Sequence, residues 1–286
     1  MEHRSDKQFI FPITTGRTGT TFVTHLLQLN LPPNSEVHHE RSYFLGSPLN
    51  GFGVDTPEVS HFARFNTLGN DDWVKAFWAQ KNRRLIASST PIYAEMSHPL
   101  VKAGLIENID ALAAAGRVDL VILKRDMEEI MWSFVSRMVF TNYGFTWLFA
   151  LDPRWPNVIV DFAPFEAEGL GGMAAWYIHE MWTRAEYYRL LLAGRPNIHI
   201  HEIGMTELVR PEGAGRLLAA LGHGTDSPVM PPQANGLEGS LYGPEARDHC
   251  RRILRDIAVD HKAAALAYFD SGRRLGALKP DPSIQA

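Results

Sequence analysis

The chain carries one cysteine, Cys250, among 286 residues, so an internal disulfide is excluded and a reducing compartment suits it. Cys250 falls in a segment of helical pattern, where packing is expected of it rather than nucleophilic attack. No apolar run approaches the roughly eighteen residues of a membrane span. The opening MEHRSDKQ is too polar for a secretory signal, and a soluble, cytoplasmic protein is expected. Net charge is also scarce, with 28 basic against 32 acidic residues. Bulk attraction to nucleic acid or to an acidic membrane is therefore not expected, and any cationic site must be local. Repeats and low-complexity tracts are missing as well. What is present is a chain of 45% hydrophobic and 10% aromatic residues, enough to bury a substantial core. A single α/β domain over 1–286 with insertions is expected.

The stretch from Phe9 to Leu27 reads FIFPITTGRTGTTFVTHLL: a short apolar run, a glycine-threonine turn, then an amphipathic segment. That order predicts strand, anion-binding loop, helix. Gly16 and Gly19 permit backbone conformations that a side chain obstructs, so successive N–H groups can converge on one anion at the helix start. Thr18, Thr20 and Thr21 add hydroxyl donors. The nucleoside-triphosphatase pattern G-x-x-x-x-G-K-[ST] is not met, because Thr20 stands where the lysine belongs. The only cation in the turn is Arg17. An ordinary Gly-Thr turn is the plain alternative.

A second motif lies further on. Val118 to Lys124, VDLVILK, reads as a buried strand that ends at Arg125. Asp126 and Glu129 form a D-x-x-E start signal, so a helix is expected from about Met127 through Met138. Ser133 falls about two helical turns past the cap, on the same face. A guanidinium fork with a neighbouring hydroxyl suits phosphate. The bland alternative is Arg125 in a surface ion pair with Asp126 or Glu129.

Between them, Glu36 to Leu45 reads EVHHERSYFL. Val37 to His39 is expected as a short strand ending beside the first turn, since the ligand crevice of an open α/β sheet lies at the carboxyl ends of its strands. Glu40 then faces the reaction centre. His38 and His39 are rivals as proton acceptors, and strand alternation sends at most one of them into the site. A His-His-Glu run without a further ligand at helical spacing is a weak metal signal, and no metal is expected.

With these residues in view, the chain resembles the sulfotransferases that use 3'-phosphoadenosine 5'-phosphosulfate (PAPS) and release adenosine 3',5'-bisphosphate (PAP). Their first loop reads [KR]-[ST]-G-[ST]-[ST] followed by an apolar residue, matched by Arg17 through Phe22. The resemblance implies a three-layer α/β/α fold with a central, mainly parallel sheet, of the P-loop-containing nucleotide hydrolase-like kind. It implies that Gly16, Arg17, Thr18, Gly19, Thr20, Thr21 and Phe22 hold the 5'-phosphosulfate, and that Arg125 and Ser133 hold the 3'-phosphate. Carbohydrate-type members use a Glu followed by an aromatic pair to deprotonate the acceptor, which implies Glu40 as base and Arg17 as the charge-stabilising group. Two departures accompany the match. Arg84 to Tyr93, RLIASSTPIY, is read as a third strand at Leu85 to Ser88 with a segment similar to Lys-[ST]-Pro-x-Tyr, and Ser89 occupies the lysine position, leaving Arg17 or Lys124 to carry more of the charge. The late segment Gln233 to Tyr242, QANGLEGSLY, has no cation where the family often carries Arg-Lys-Gly.

The remaining elements follow by pattern. Gly104 to Gly116 reads as a helix with Leu105, Ile109 and Leu112 on one face, and Phe140 to Gly172 as an aromatic-rich inserted loop or lid over the acceptor pocket, or as rings that fill a core. Met173 to Leu192 is expected as a long helix, Asn197 to Glu202 as the last strand, Pro211 to Leu221 as a helix, and Pro244 to Phe269 as one closing helix. The expected activity is sulfonyl transfer from PAPS to a hydroxyl or amine of a small-molecule, carbohydrate or lipid acceptor. The rivals are a P-loop kinase of a small molecule and a PAP-binding protein without catalysis.

Overall fold

A computed structural model describes residues 7–40, 57–140, 151–232 and 243–277. Five parallel strands form its centre: β1 (Lys7–Ile13), β2 (Glu36–His38), β3 (Ile92–Glu95), β4 (Gly116–Lys124) and β5 (Ile198–Gly204), in the order β2-β3-β1-β4-β5. β1 is the middle strand, and its partner β4 runs beside it from Lys7 opposite Gly116 to Ile13 opposite Ile122. Central parallel strands are covered on both faces, which explains why β1 and β4 read as continuous apolar runs rather than alternating ones.

Strand alternation divides the core. Phe9, Phe11, Val118, Leu120, Ile122 and Tyr93 point to one face, where they meet α2 (Val59–Leu68), α3 (Asp72–Ala87), α5 (Asp110–Ala115) and the long α7 (Gly169–Leu192). Ile10, Ala94, Val121 and Leu123 point to the other, against α1 (Thr20–Asn30), the short α8 (Met205–Leu208) and α9 (Pro211–Ala220). The α/β/α class read from the sequence is the class observed. A third cluster joins α6 (Met127–Ser136), α7 and α10 (Pro244–Asp256) through Ile130, Phe134, Trp176, Cys250 and Ile253. Because α7 packs against both this cluster and the sheet, it is buried nearly all round. It even encloses the Arg184–Glu180 pair, 2.6 Å apart. Among the described residues no helix is long and apolar enough to cross a membrane.

Three expected elements are corrected. The helix expected over Gly104 to Gly116 is a 3-10 turn at Ile106–Asn108 followed by the short α5, and Gly116 already belongs to β4. Leu85 to Ser88 is not a strand but the end of α3, whose Asp71 accepts a capping bond from the Val74 N–H and whose Val74, Phe77, Trp78, Lys81 and Leu85 recur at helical spacing on the buried side. The third strand is Ile92–Glu95, buried throughout, beyond the Ser-Thr-Pro turn. The closing helix is two: α10 ends at Asp256, and α11 (His261–Asp270) starts afresh with Asp260 accepting from the Ala263 N–H. The bounds of β1, β2, β4, α6, β5 and α9 lie within two or three residues of those read from the sequence. α7 starts at Gly169, inside the span expected as a lid. Residues 151–168 pack inward, with Leu151, Val160 and Phe165 buried, and residues 141–150 of that span lie outside the described residues.

Candidate active site

The turn between β1 and α1 leaves the carboxyl edge of the sheet at its central strand. Gly16, Arg17 and Gly19 all take left-handed backbone angles, with φ of 78°, 58° and 89°. For Gly16 and Gly19 this is free of steric cost, whereas Arg17 holds it against a penalty of about 1 to 2 kcal/mol. Below, the Thr14 and Thr18 hydroxyls bond each other, and the Thr14 Oγ1 also donates to the Leu123 carbonyl at 3.1 Å, locking the turn onto β4. The Thr18 hydroxyl is thus engaged inside the loop, and Phe22 is half-buried against the core cluster beneath α1. Gly19 caps α1 with no side-chain bond, so the first-turn amides of α1 stay available to an anion.

Around this turn three guanidinium groups gather. Arg17 Nε donates to the Ser133 Oγ at 2.9 Å, and Arg137 Nη1 donates to the same oxygen at 3.0 Å. Arg125 Nη1 donates to the Arg17 carbonyl at 3.3 Å. The Ser133 oxygen accepts twice, which leaves its own O–H to donate outward. Burial first, then the neighbouring Arg137 and Arg125, pull the Arg17 pKa down to about 10, while Glu40 acts in the opposite sense. Among the described residues Arg17 and Arg137 have no carboxylate within ion-pair distance. Arg125 does have one: Glu129, at 3.3 Å. Like charges converging on one hydroxyl are unfavourable by themselves and are offset when an anion joins them.

The carboxylate side of the candidate site is built from the ends of β2 and β3. Glu40 also holds a left-handed backbone, φ 45°, pinned where its N–H donates to the Ser97 Oγ at 2.8 Å. Its Oε1 lies 3.4 Å from His98 Nε2 and 3.9 Å from His39 Nε2. Burial raises the Glu40 pKa to about 7, against the pull of Arg17 and Lys102. A carboxyl so placed takes up a proton near neutral pH with some driving force. His39 reaches the start of α1, its Nε2 3.0 Å from the Thr20 Oγ1 and 3.4 Å from the Thr21 Oγ1, while His38 turns back to Glu36 and the Tyr93 ring. Burial, with His25 and Arg17, lowers the His39 pKa to about 4, a weaker base than Glu40. Of the two histidines only His39 meets the start of α1, while His38 faces Glu36 and Tyr93, in keeping with strand alternation. Among the described residues no three His, Cys, Asp or Glu side chains are grouped to hold a metal ion.

Several participants were missed from the sequence. Ser97, His98 and Lys102 follow the true β3, and placing that strand too early hid them. Lys102 is fully buried at the end of α4 (Pro99–Lys102), and its Nζ donates to the Tyr177 hydroxyl at 2.9 Å. Tyr177, from α7, donates in turn to the Thr15 carbonyl at 3.0 Å, under the turn. Burial drives the Lys102 pKa well down, with Arg184 adding to it and Glu40 opposing. Arg137 stands four residues after Ser133, the helical spacing that signals a shared face.

Ser89 proves irrelevant to the site. It lies exposed at the amino edge of the sheet, where Lys7 Nζ donates to the Thr90 carbonyl at 3.4 Å and the Gln8 N–H to the Pro91 carbonyl at 2.8 Å. The turn leaves the opposite edge, so a lysine at position 89 has no means of reaching it. Lys124 is not a substitute either, since Glu186 and Glu202 hold it at 3.3 and 3.2 Å. Gln233 to Tyr242 lies outside the described residues.

No family model matches the chain, and no curated protein matches it. Among solved structures it is similar to the sulfotransferase domain of the Synechococcus PCC 7002 olefin synthase, at 12% identity over 95% of this chain and 96% of that one, with a TM-score of 0.39. At that TM-score the likeness identifies neither a donor nor an acceptor.

Proposed function

We propose that this chain transfers a sulfonyl group from PAPS to a hydroxyl or amine of a small-molecule, carbohydrate or lipid acceptor. The observation that carries the reading is the meeting of Arg17, Arg125 and Arg137 at Ser133 and the glycine turn, with the buried carboxyl of Glu40 beside Arg17. A doubly anionic ligand fits that arrangement: the uncapped start of α1 suits one anionic end, and Arg125, Arg137 and the outward O–H of Ser133 suit the other.

When bound, PAPS supplies a sulfonyl group activated by its bond to phosphate. Gly16 to Thr21 hold and orient the anionic end through backbone amides and the Thr20 and Thr21 hydroxyls. Glu40 takes the proton from the attacking acceptor, so the new bond to sulfur forms from a better nucleophile. Arg17 stabilises the charge that grows on the departing phosphate oxygen, a contribution of about 3 to 4 kcal/mol for a prepositioned donor. His98 Nε2 lies 3.4 Å from the Glu40 carboxyl, and the Ser97 Oγ accepts the Glu40 N–H to fix its backbone.

Calorimetry with PAP, ADP and ATP, with and without magnesium, tests the reading. Tight, magnesium-independent binding of PAP over ADP and ATP is the expected result. Preferred magnesium-dependent binding of ATP overturns it in favour of a kinase. Transfer of labelled sulfate from PAPS to a panel of sugars, phenols and lipids then separates an enzyme from a binding protein.

A further inference from the structure

Among the described residues Arg125 is the one guanidinium of the site already paired with a carboxylate, and that carboxylate is shared. Glu129 Oε2 accepts from Arg125 Nη2 at 3.3 Å, while its other oxygen accepts from Arg247 Nη2 on α10. Arg247 Nε donates at 2.7 Å to Glu128, which Arg251 approaches from the same helix at 2.8 Å. Two arginines of α10 thus clamp the two glutamates that open α6. Asp248 is the other acid on that side, and it engages Arg251 at 2.8 Å.

A carboxylate beside an anion-binding arginine competes with the anion. The bland account is a surface network that only ties α10 to α6, since all its members are partly exposed and such pairs are individually weak. It leaves unexplained why Glu129, which pairs with Arg125 through one oxygen, is held through its other oxygen by a second arginine from a different helix. We infer that Arg247 is a positioning residue for nucleotide selectivity: by drawing the charge of Glu129 toward α10, it leaves Arg125 free to engage a 3'-phosphate. The inference rests on the reading of Arg125 as a 3'-phosphate ligand. It also supplies a cationic device directly after Gln233 to Tyr242, a segment that contains no cation of its own.

The test is calorimetric titration of the full chain with PAP and with adenosine 5'-monophosphate, which lacks the 3'-phosphate. Arg247→Ala is expected to weaken PAP about threefold to fivefold, the range of partly exposed ion pairs, and to leave the monophosphate unchanged. Arg247→Lys keeps most of the selectivity. Glu129→Gln tightens PAP by a similar factor, and adding Arg247→Ala to it has no further effect, because the two residues act through one contact. Equal loss on both nucleotides, or a loss that persists in the Glu129→Gln background, overturns the inference. Arg125→Ala separates the two levels: if it leaves the ratio of the two affinities unchanged, the assignment of the 3'-phosphate site itself fails.

Discussion

The two edges of the sheet hold polar clusters of opposite kinds. Toward the amino edge, buried Asp119 on β4 accepts from Gln8 at 2.7 Å, from His201 at 2.7 Å and from both faces of the Arg117 fork, and Gln8 in turn meets His223 at 2.7 Å. Charge meets countercharge and the cluster is complete. At the carboxyl edge, the side chains of Arg17 and Arg137 share one hydroxyl with no ion-pair partner among the described residues, two residues sit in strained left-handed angles, and a carboxyl is buried with its pKa near 7. Completeness marks a cluster that holds the fold together. The mismatch is what the proposed anionic ligand would complete.

Substitutions sharpen the contrast. The largest effect is expected at Glu40: Glu40→Gln lowers turnover by about 10² to 10⁴ while PAP binding persists. The parent rate falls as pH drops below about 7, where the Glu40 carboxyl is protonated and no longer accepts a proton, and a pH–rate profile shows this limb disappear in the variant. Stability runs the other way. A carboxyl whose folded pKa is raised favours the fold at low pH and loses that contribution as pH rises from about 4.5 to about 7. Glu40→Gln is therefore the more stable protein at pH 8, by up to about 3 kcal/mol, and thermal melts at pH 8 and pH 4 reveal the difference.

Next in size, Arg17→Gly lowers turnover by about 10² to 10³ yet stabilises the fold by ~1 kcal/mol, since glycine accepts the left-handed backbone and the like charge is gone. Loss of stability together with activity breaks the comparison. The smallest effect on catalysis belongs to the amino edge. Asp119→Asn costs about 2 to 4 kcal/mol in denaturant melts and leaves the turnover of folded protein unchanged. Burial pushes the Asp119 carboxyl up, but the bonds from His201, Arg117 and Gln8 outweigh it and hold the pKa below the usual value. Its contribution is therefore present above a pH of about 4 and fades as pH falls further, and the deficit of the variant shrinks in the same window.

What could be read from the sequence was local. The glycine turn, and Arg125 with Ser133, are set by residues close in the chain, and short-range sterics and helical spacing decide where they point. The start of α6 was legible from Asp126, which accepts the Glu129 N–H at 3.0 Å as the D-x-x-E pattern implies. The residues that converge on Glu40 were not, because Ser97, His98 and Lys102 depend on which of two adjacent segments forms β3. Leu85 to Ser88 is β-like in composition, but the capped periodicity of the preceding residues outweighs it. The break between α10 and α11 carried a signal in Asp260, masked by the many helix formers on either side. Arg137 was within reach of the i to i+4 rule and needed only Ser133 as its reference point.

Tyr177 stands at the middle of a rod lodged in two cores, and its hydroxyl carries the Thr15 carbonyl. The floor of the turn is thereby set when the protein folds, and the entropy of ordering it is met long before any ligand arrives. The proposed ligand would then meet a finished mould, so its affinity at this turn answers to charge and fit rather than to loop ordering.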